Sequence, residues 1–131
     1  MATRDELNSL FQSYLDACNA HDFSRMQSFY APTISINDVP MDAAAVTVQF
    51  EPIVTGFPDW RWEVKHLVID GNYLCLHYQV AGTHRGVYHE VEPTGRQITI
   101  AQFTLYHVED GKFTDVWDLA DMDEVLRQIA A

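Results

Sequence analysis

The spacing of apolar residues changes once along the chain, near Trp60, and this change limits the folds that the chain can adopt. Before Trp60, apolar residues recur every three or four positions, as in Leu7, Leu10 and Tyr14, which predicts amphipathic helices. From Trp60 to Lys65, apolar and polar residues alternate, which is typical of a half-exposed strand. Helices followed by strands that are joined in hairpins indicate an α+β fold with a mostly antiparallel sheet.

Capping and turn residues define the ends of the predicted elements. Thr3 and Glu6 have the spacing of a capping box, so the first helix is expected to begin there and to end near Asn19. Asp22 is expected to cap a second, shorter helix, which Pro32 would end. The other predicted elements are a strand, a helix, four strands and a final helix, at residues 33–37, 42–50, 60–69, 73–83, 97–108, 113–119 and 122–129. Together they fit a single domain over residues 1–131, because this length is close to that of a typical domain.

The pair Asp110-Gly111 predicts a hairpin between the last two strands, and two registers are open for it. A two-residue loop would pair Glu109 with Lys112, whereas a three-residue loop would pair Val108 with Lys112. Side chains alternate strictly along a strand, so the choice decides which residues of the last strand face the core.

The distribution of apolar residues favours the three-residue loop. In that register one face collects the apolar side chains of Phe103, Leu105, Phe113, Trp117 and Leu119. The other face is mixed and collects Gln102, Thr104, Tyr106, Val116 and Asp118. This register also places Gln102 directly opposite Asp118.

Asp118 is the candidate general acid or base of this chain. A carboxylate in an otherwise apolar cavity can act as a general acid or base, because burial disfavours its charged form. A neighbouring amide, such as that of Gln102, can orient the carboxylate or bind a substrate carbonyl. The alternative is that Asp118 caps the last helix or lies in water at the rim, and its spacing leaves both open.

Charge and cysteine content indicate the partners and the compartment. Nineteen acidic and eight basic residues give a formal net charge of −11, which repels nucleic acid and anionic membrane surfaces. No apolar stretch is long enough to cross a bilayer, and the first residues lack the apolar region of a signal peptide. Cys18 and Cys75 have no metal-binding or redox spacing, so we expect two buried free thiols and a cytoplasmic protein.

The sequence contains no motif that would hold a metal ion or a cofactor. Six histidines are present, but no HxH or HxxxH pair occurs, so no metal site is expected. There is also no phosphate-binding loop, dinucleotide fingerprint or GxSxG motif. We therefore expect no cofactor.

Four short motifs follow one another in the second half of the chain: FPD (57–59), GTHRG (82–86), PTG (93–95) and DGKFTDVWD (110–118). With these motifs the chain resembles the SnoaL-like family of polyketide cyclases and predicted ester cyclases, within the nuclear-transport-factor-2-like superfamily. The resemblance covers residues 57–129, and the first half agrees in its pattern of amphipathic helices. It implies a cone-shaped, curved and antiparallel-rich sheet that wraps around the N-terminal helices and encloses a pocket, an α+β barrel.

The resemblance also implies a function. In the polyketide cyclases, the Asp of the WD motif, which is Asp118 here, acts as acid and base without a metal or an organic cofactor. A Gln on the preceding strand matches Gln102, and a pocket Asn on the first strand matches Asn37. We expect these two side chains to bind the substrate, by holding the enolate oxygen. These matches imply an enzyme that acts on a small apolar carbonyl compound, by cyclisation, isomerisation or hydration.

One departure from the family supports an alternative. The cyclases tend to carry His at the positions of Thr104 and Val116, and these imidazoles are missing here. The alternative is a non-catalytic ligand-binding or dimerisation module with the same fold.

Three further residues are possible substrate contacts. Thr104 belongs to the mixed face, Tyr14 could present its hydroxyl to the pocket, and His84 of GTHRG could line the pocket mouth. The alternatives are a core position for Tyr14 and a hydrogen-bonded surface position for His84. The family resemblance also implies a homodimer, formed through the outer face of the sheet.

Overall fold

The computed structural model describes residues 2–130, which form five α-helices and six β-strands. The helices are α1 (Arg4–Asn19), α2 (Phe23–Gln27), α3 (Ala43–Val48), α4 (Glu51–Gly56) and α5 (Met122–Ala130). The strands are β1 (Tyr30–Ile36), β2 (Val39–Asp42), β3 (Arg61–Asp70), β4 (Tyr73–Thr83), β5 (Gln97–Glu109) and β6 (Lys112–Ala120).

Helix α1 begins at the predicted capping box. The Thr3 hydroxyl accepts a hydrogen bond from the Glu6 amide at 3.1 Å, and the Glu6 carboxylate accepts one from the Thr3 amide at 3.0 Å. One stripe of the helix is buried, formed by Leu7, Phe11, Tyr14, Ala17 and Cys18. Through Phe11 this stripe packs on tyrosines of β4 and β5, so the core lies between α1 and the sheet.

The six strands form one curved sheet in the order β2-β1-β6-β5-β4-β3. Neighbouring strands are antiparallel, except that β1 and β6 run parallel. The edge strands β2 and β3 do not pair with each other, so the sheet is open. The predicted α+β class and the curved sheet around the N-terminal helices are confirmed, and the predicted barrel is an unclosed one.

The two faces of the sheet differ in their surroundings. On β4, Leu74, Leu76, Tyr78 and Val80 are buried on the side of the helices, and the residues that alternate with them point to the opposite side. We call that opposite side the outer face and define it by Val68, Cys75, His77, Phe103, Leu105 and Trp117. Both thiols are free, but the prediction that both are buried is wrong for Cys75, which is exposed on the outer face.

The loop of the second hairpin differs from the predicted one. It contains two residues, Asp110 and Gly111, whose φ angles of 51° and 73° are both positive. Glu109 therefore pairs with Lys112, and the predicted three-residue loop is wrong. Positive φ at both loop residues matches the twist of the flanking strands, which explains the preference for an Asp-Gly pair here.

A β-bulge in β6 follows this loop, because Thr114 has no partner in β5. Beyond the bulge Asp118 pairs with Thr104, so the predicted pairing of Asp118 with Gln102 is wrong. The bulge restores the alternation that a three-residue loop would have given, and Asp118, Thr104 and Gln102 share the concave face as predicted. Phe113 lies between the loop and the bulge and is buried among the core aromatics, not on the face of Phe103 and Leu105 as predicted.

The region between β1 and β3 contains two elements that were not predicted. Asn37 and Asp38 form a two-residue turn with φ angles of 50° and 69°, after which β2 pairs back along β1. The third predicted helix begins after Asp42 as expected but ends at Val48. A separate helix, α4, follows with Pro52 in its first turn, where the missing N–H of proline is tolerated.

Helix α5 packs against β5. The Asp121 carboxylate caps it by accepting from the Glu124 amide at 3.0 Å, so Asp118 is not its cap. The Gln128 side chain bonds to both the backbone amide and the carbonyl of Thr99, at 3.0 and 2.9 Å. Neither this helix nor another within residues 2–130 combines the length and apolar character needed to span a membrane.

Candidate active site

A cavity of about 350 Å³ lies between the concave face of the sheet and helices α1, α3 and α4. Much of its wall is apolar and includes Leu15, Ile36, Val46, Phe50, Ile53 and Val116. Its polar residues are Tyr14, Cys18, Tyr30, Asn37, Gln49, Tyr78, Gln102, Thr104, Tyr106 and Asp118. An apolar cavity with a few polar groups is typical of a site for a small organic molecule.

Asp118 and Asn37 are joined by two hydrogen bonds. Asn37 Nδ2 donates to Asp118 Oδ1 at 2.7 Å, and the Asp118 backbone amide donates to Asn37 Oδ1 at 2.9 Å. The Asn37 side chain thus fixes one oxygen of the carboxylate. The other oxygen, Oδ2, has no hydrogen-bonding partner among residues 2–130, so it remains available to a ligand.

The turn between β1 and β2 holds the Asn37 side chain against β6. The backbone amide of Asn37 donates to the backbone carbonyl of Val116 at 2.8 Å, and this bond holds the end of β1 against β6. The next residue, Asp38, accepts a hydrogen bond from Trp117 Nε1 at 2.9 Å. Two adjacent turn residues therefore bind two adjacent residues of β6. Asn and Asp tolerate the left-handed backbone of this turn better than other non-glycine residues do.

Gln102 links two neighbours on the cavity wall. Its Oε1 accepts from Trp62 Nε1 at 3.3 Å, and its Nε2 donates to Thr104 Oγ1 at 3.0 Å. Thr104 is buried and lies directly opposite Asp118 in the sheet. Opposed residues have Cβ atoms only about 4.5–5.5 Å apart, so Thr104 is the cross-strand neighbour of Asp118.

Asp118 lies at the mouth of the cavity and is exposed to solvent. Two alternatives to a catalytic role were open for Asp118. The first, that it caps α5, is wrong. The second, that it lies in water at the rim, agrees with the observed position. A carboxylate in water is a weak base, so catalysis by Asp118 requires a bound ligand to exclude water from it.

Four tyrosines form two hydroxyl pairs at the inner end of the cavity. The hydroxyl oxygens of Tyr14 and Tyr30 are 2.7 Å apart, and those of Tyr78 and Tyr106 are 2.8 Å apart. All four residues are between 2% and 5% exposed. Burial raises the pKa of each of these hydroxyls, so they stay protonated at neutral pH. Burial also raises the pKa of the neighbouring Cys18 thiol to about 12.

The cavity thus brings together five of the six predicted site residues: Asp118, Gln102, Asn37, Thr104 and Tyr14. Two further cavity residues, Trp62 and Tyr78, are not apparent from the motifs. The alternation of β4 could have identified Tyr78, because it follows the buried Leu74 and Leu76 at the same spacing. Trp62 alternates with exposed residues of β3 in the same way.

His84 does not line the cavity, which corrects its expected position at the pocket mouth. Its ring is fully buried and packs on Phe57, with ring centroids 5.4 Å apart. His84 Nδ1 accepts a hydrogen bond from the Thr94 amide at 3.2 Å. The expected surface position is also wrong, and the observed role of His84 is to join two loops.

The FPD, GTHRG and PTG motifs contact one another beside the cavity. The Asp59 carboxylate accepts hydrogen bonds from the amide and the hydroxyl of Thr83, both at 2.7 Å. Gly86 lies so close to Thr55 that a Cβ atom on it would be 2.1 Å from the Thr55 carbonyl oxygen. These motifs therefore stabilise the loops after α4 and β4 and do not supply groups to the cavity.

The other histidines also lie away from the cavity. His66 and His77 stack on the outer face with their Nδ1 atoms 2.9 Å apart, and His107 lies 3.5 Å from the Asp115 carboxylate. In the part of the chain that the structure describes, no three His, Cys, Asp or Glu side chains are grouped so as to bind a metal ion.

The sequence profile of the SnoaL-like polyketide cyclases matches residues 8–129 of the chain. No curated protein is significantly similar to it in sequence.

Several solved structures have the same fold. AclR, a candidate hydroxylase from Streptomyces galilaeus, is 25% identical, with a TM-score of 0.87 over 98% of this chain and 83% of AclR. A SnoaL-like polyketide cyclase from Agrobacterium tumefaciens is 24% identical, with a TM-score of 0.80 over 98% and 99% of the two chains. IdmH, a candidate polyketide cyclase from Streptomyces antibioticus, is 21% identical, with a TM-score of 0.85 over 95% and 99%.

Proposed function

The chain belongs to the SnoaL-like polyketide cyclase family, and on this premise we propose that it is a cofactor-independent enzyme for a small apolar carbonyl compound. Asp118 transfers protons at a carbon next to the carbonyl group. The C–H bond breaks, the proton moves to the carboxylate, and the electron pair delocalises onto the carbonyl oxygen as an enolate. Return of the proton to a different atom of the enolate gives isomerisation. In cyclisation, the enolate carbon attacks a second carbonyl and forms a C–C bond, and the resulting alkoxide takes the proton from Asp118. In hydration, the oxygen of water bonds to the β-carbon of an enone, Asp118 takes the water proton, and that proton then moves to the α-carbon.

The observation that carries this proposal is the orientation of Asp118 by Asn37. Two hydrogen bonds hold the carboxylate, and its second oxygen has no partner in residues 2–130. A general base needs such a fixed position and a free lone pair. Asn37 is thus a positioning residue in this proposal, and it is not the group that binds the substrate oxygen.

The walls of the cavity support an apolar substrate with few oxygens. Ile36, Phe50 and Val116 offer no hydrogen bonds, whereas Gln102 and Thr104 lie next to Asp118. Gln102 Nε2 uses one of its two hydrogens on Thr104, so the second can bind the enolate oxygen. Exclusion of water by the substrate would make Asp118 a stronger base.

The second candidate is a non-catalytic binding module. It is favoured by the exposure of Asp118 and by Thr104 and Val116, which stand where the family's cyclases tend to carry His. The similar structures do not decide between these functions, since they include a candidate hydroxylase as well as cyclases, and one fold supports several reactions.

Binding and turnover of apolar ketones separate the two candidates. Trp62 lines the cavity, so its fluorescence can report the binding of aromatic bicyclic ketones. We expect Asp118→Asn to keep the dissociation constant within about threefold and to lower turnover by about 100-fold or more. Full turnover by Asp118→Asn would contradict the role of Asp118, and binding without turnover by the unchanged chain would favour the module.

Homodimerisation through the outer face is part of the proposal. Val68 and Phe103 on this face are 60% and 53% exposed, and Leu105 on β5 and Trp117 on β6 extend the same apolar surface. Two chains with a net charge of −11 repel each other, and an uncharged apolar face is the surface on which they can meet. A cytoplasmic location is also proposed, supported by the two free thiols.

A further inference from the structure

The two tyrosine pairs have hydrogen-bonding capacity that their mutual contacts do not use. A phenol hydroxyl has one proton to donate. In each pair one hydroxyl donates to the other, so the proton of the second hydroxyl is left over. The Tyr78 and Tyr106 hydroxyls make no other hydrogen bond within residues 2–130, whereas the Tyr14 hydroxyl also lies next to the Cys18 thiol. The Tyr78–Tyr106 pair therefore keeps one O–H donor without an acceptor in residues 2–130, although buried hydroxyls are normally satisfied. The remaining donor of the Tyr14–Tyr30 pair has only the weakly accepting Cys18 sulfur beside it.

These donors belong to the cavity. All four tyrosines line it, and they come from four different elements, α1, β1, β4 and β5. Their side chains are almost fully buried, whereas Asp118 is exposed at the mouth. Tyr106 is the next inward-facing residue after Thr104 on β5. Its Cα therefore lies about 7 Å along the strand from the Cα of Thr104, which is the residue opposite Asp118.

We infer that the paired hydroxyls of Tyr14–Tyr30 and Tyr78–Tyr106 form an oxygen-binding subsite at the inner end of the cavity. This inference rests on the proposed function and specifies its substrate class. The substrate carries one carbonyl group beside Asp118 and a second oxygen, a carbonyl, enol or phenol oxygen, at its buried end. An apolar carbon skeleton between the two oxygens contacts Ile36, Val46 and Val116.

The charge of the lining decides which oxygen the subsite accepts. No Lys, Arg or His is among the described residues of the cavity wall. A carboxylate or phosphate would be buried there without a counter-charge, which is strongly unfavourable. Burial raises the pKa of all four tyrosines, so the subsite offers neutral O–H donors. It therefore selects a neutral oxygen and rejects an anionic group.

A matched pair of bicyclic ketones tests the subsite. The compound 6-hydroxy-2-tetralone has a ketone at one end and a phenol oxygen at the other, and 6-methyl-2-tetralone replaces that oxygen with a methyl group. We expect the unchanged chain to bind the hydroxyl compound at least about tenfold more tightly, because a site built for an oxygen disfavours the analogue without it.

Two double variants remove the donors pair by pair. Tyr14→Phe/Tyr30→Phe and Tyr78→Phe/Tyr106→Phe keep the rings and delete the hydroxyls. We expect at least one of them to lose the preference for the hydroxyl compound while its affinity for the methyl compound changes by less than about threefold. Tyr73→Phe is the matched control, since Tyr73 is exposed on the other side of the sheet and should keep the full preference.

The outcomes separate the subsite from the proposed function. If both double variants keep the preference of the unchanged chain, the subsite is overturned and the cavity remains a ligand site. If the unchanged chain binds neither ketone, the proposed function is overturned and this inference falls with it.

A measurement on the unchanged chain covers the case in which a double variant does not fold. Nuclear Overhauser contacts from the ring protons next to the phenol oxygen should reach the Tyr14, Tyr30, Tyr78 or Tyr106 rings. Contacts of those protons with Leu119 and Ala120 at the cavity rim instead would overturn the inference.

Discussion

Asn37 and Asp118 are 81 residues apart in the chain, and their side chains are joined by a hydrogen bond of 2.7 Å between Asn37 Nδ2 and Asp118 Oδ1. Asn37 is also the first residue of the turn between β1 and β2, with a φ of 50°. The same residue thus shapes the turn and orients the proposed catalytic carboxylate.

Replacement of Asn37 by Gly tests the positioning role. Glycine adopts the left-handed backbone of this turn at no steric cost, so Asn37→Gly removes the amide and preserves the turn. We expect kcat to fall by about 10- to 100-fold with little change in KM, because the carboxylate is still present but no longer fixed. Steady-state kinetics with a ketone that the unchanged chain converts measure both kcat and KM.

The adjacent residue provides the control. Asp38 also has a positive φ, of 69°, but its side chain bonds to Trp117. Asp38→Gly should leave kcat within about twofold of the unchanged chain. An equal loss of activity in both variants would indicate that the turn itself is needed, and not the Asn37 amide.

The four cavity tyrosines should limit the stability of the protein in alkali. Burial raises their pKa in the folded state, so the stabilisation is fully present below their unfolded pKa of about 10 and is lost as the pH rises above it. We expect tyrosinate absorbance from these four residues to appear together with loss of the far-ultraviolet circular dichroism. Ionisation of all six tyrosines before any unfolding would contradict this burial.

The glycines of two motifs should differ in the cost of an added methyl group. Gly86→Ala would place a Cβ 2.1 Å from the Thr55 carbonyl oxygen, and we expect a loss of about 2–3 kcal/mol in the free energy of unfolding. Gly111→Ala meets open space, and only its positive φ of 73° is unfavourable, at about 1 kcal/mol. Chemical denaturation measures the free energy of unfolding of both variants. Equal losses would show that the GTHRG loop shifts at little cost to accommodate the methyl group.

The outer face should control the oligomeric state. We expect the unchanged chain to sediment as a dimer and Val68→Asp to sediment as a monomer, because the carboxylate would be buried without a partner. Cys75 on the same face should react with a thiol reagent faster in that variant. The control is Val48→Asp, since Val48 is 57% exposed on α3, away from this face. A dimer that persists in Val68→Asp would contradict the proposed interface.

The second hairpin shows how far the sequence predicts the site. An extra residue in the loop and an extra residue in the strand change side-chain alternation in the same way. The apolar pattern therefore assigns Asp118, Gln102 and Thr104 to the concave face in either case. It does not show that the extra residue is Thr114, so the pairing of Asp118 and the face of Phe113 are predicted wrongly.

The contacts of Asn37 lie beyond what the pattern predicts. The Asn37-Asp38 pair is itself a signal for a two-residue turn, so β2 could have been found from the sequence. The bond from Asn37 to Asp118 depends on the parallel pairing of β1 with β6, and local sequence carries no information about that pairing. His84 is missed for a similar reason, because its burial depends on Phe57 and Thr94 in other loops.

Deuterium exchange at a carbon next to a ketone reports directly on proton transfer by Asp118. In heavy water, proton nuclear magnetic resonance follows the loss of the C1 and C3 proton signals of 6-hydroxy-2-tetralone, the two carbons that flank its ketone. This measurement does not require the natural substrate. We expect the unchanged chain to accelerate this exchange and Asp118→Asn to lose the acceleration by about 100-fold or more while still binding the ketone. Equal acceleration by the two proteins, or none by the unchanged chain with the ketone bound, would contradict proton transfer by Asp118.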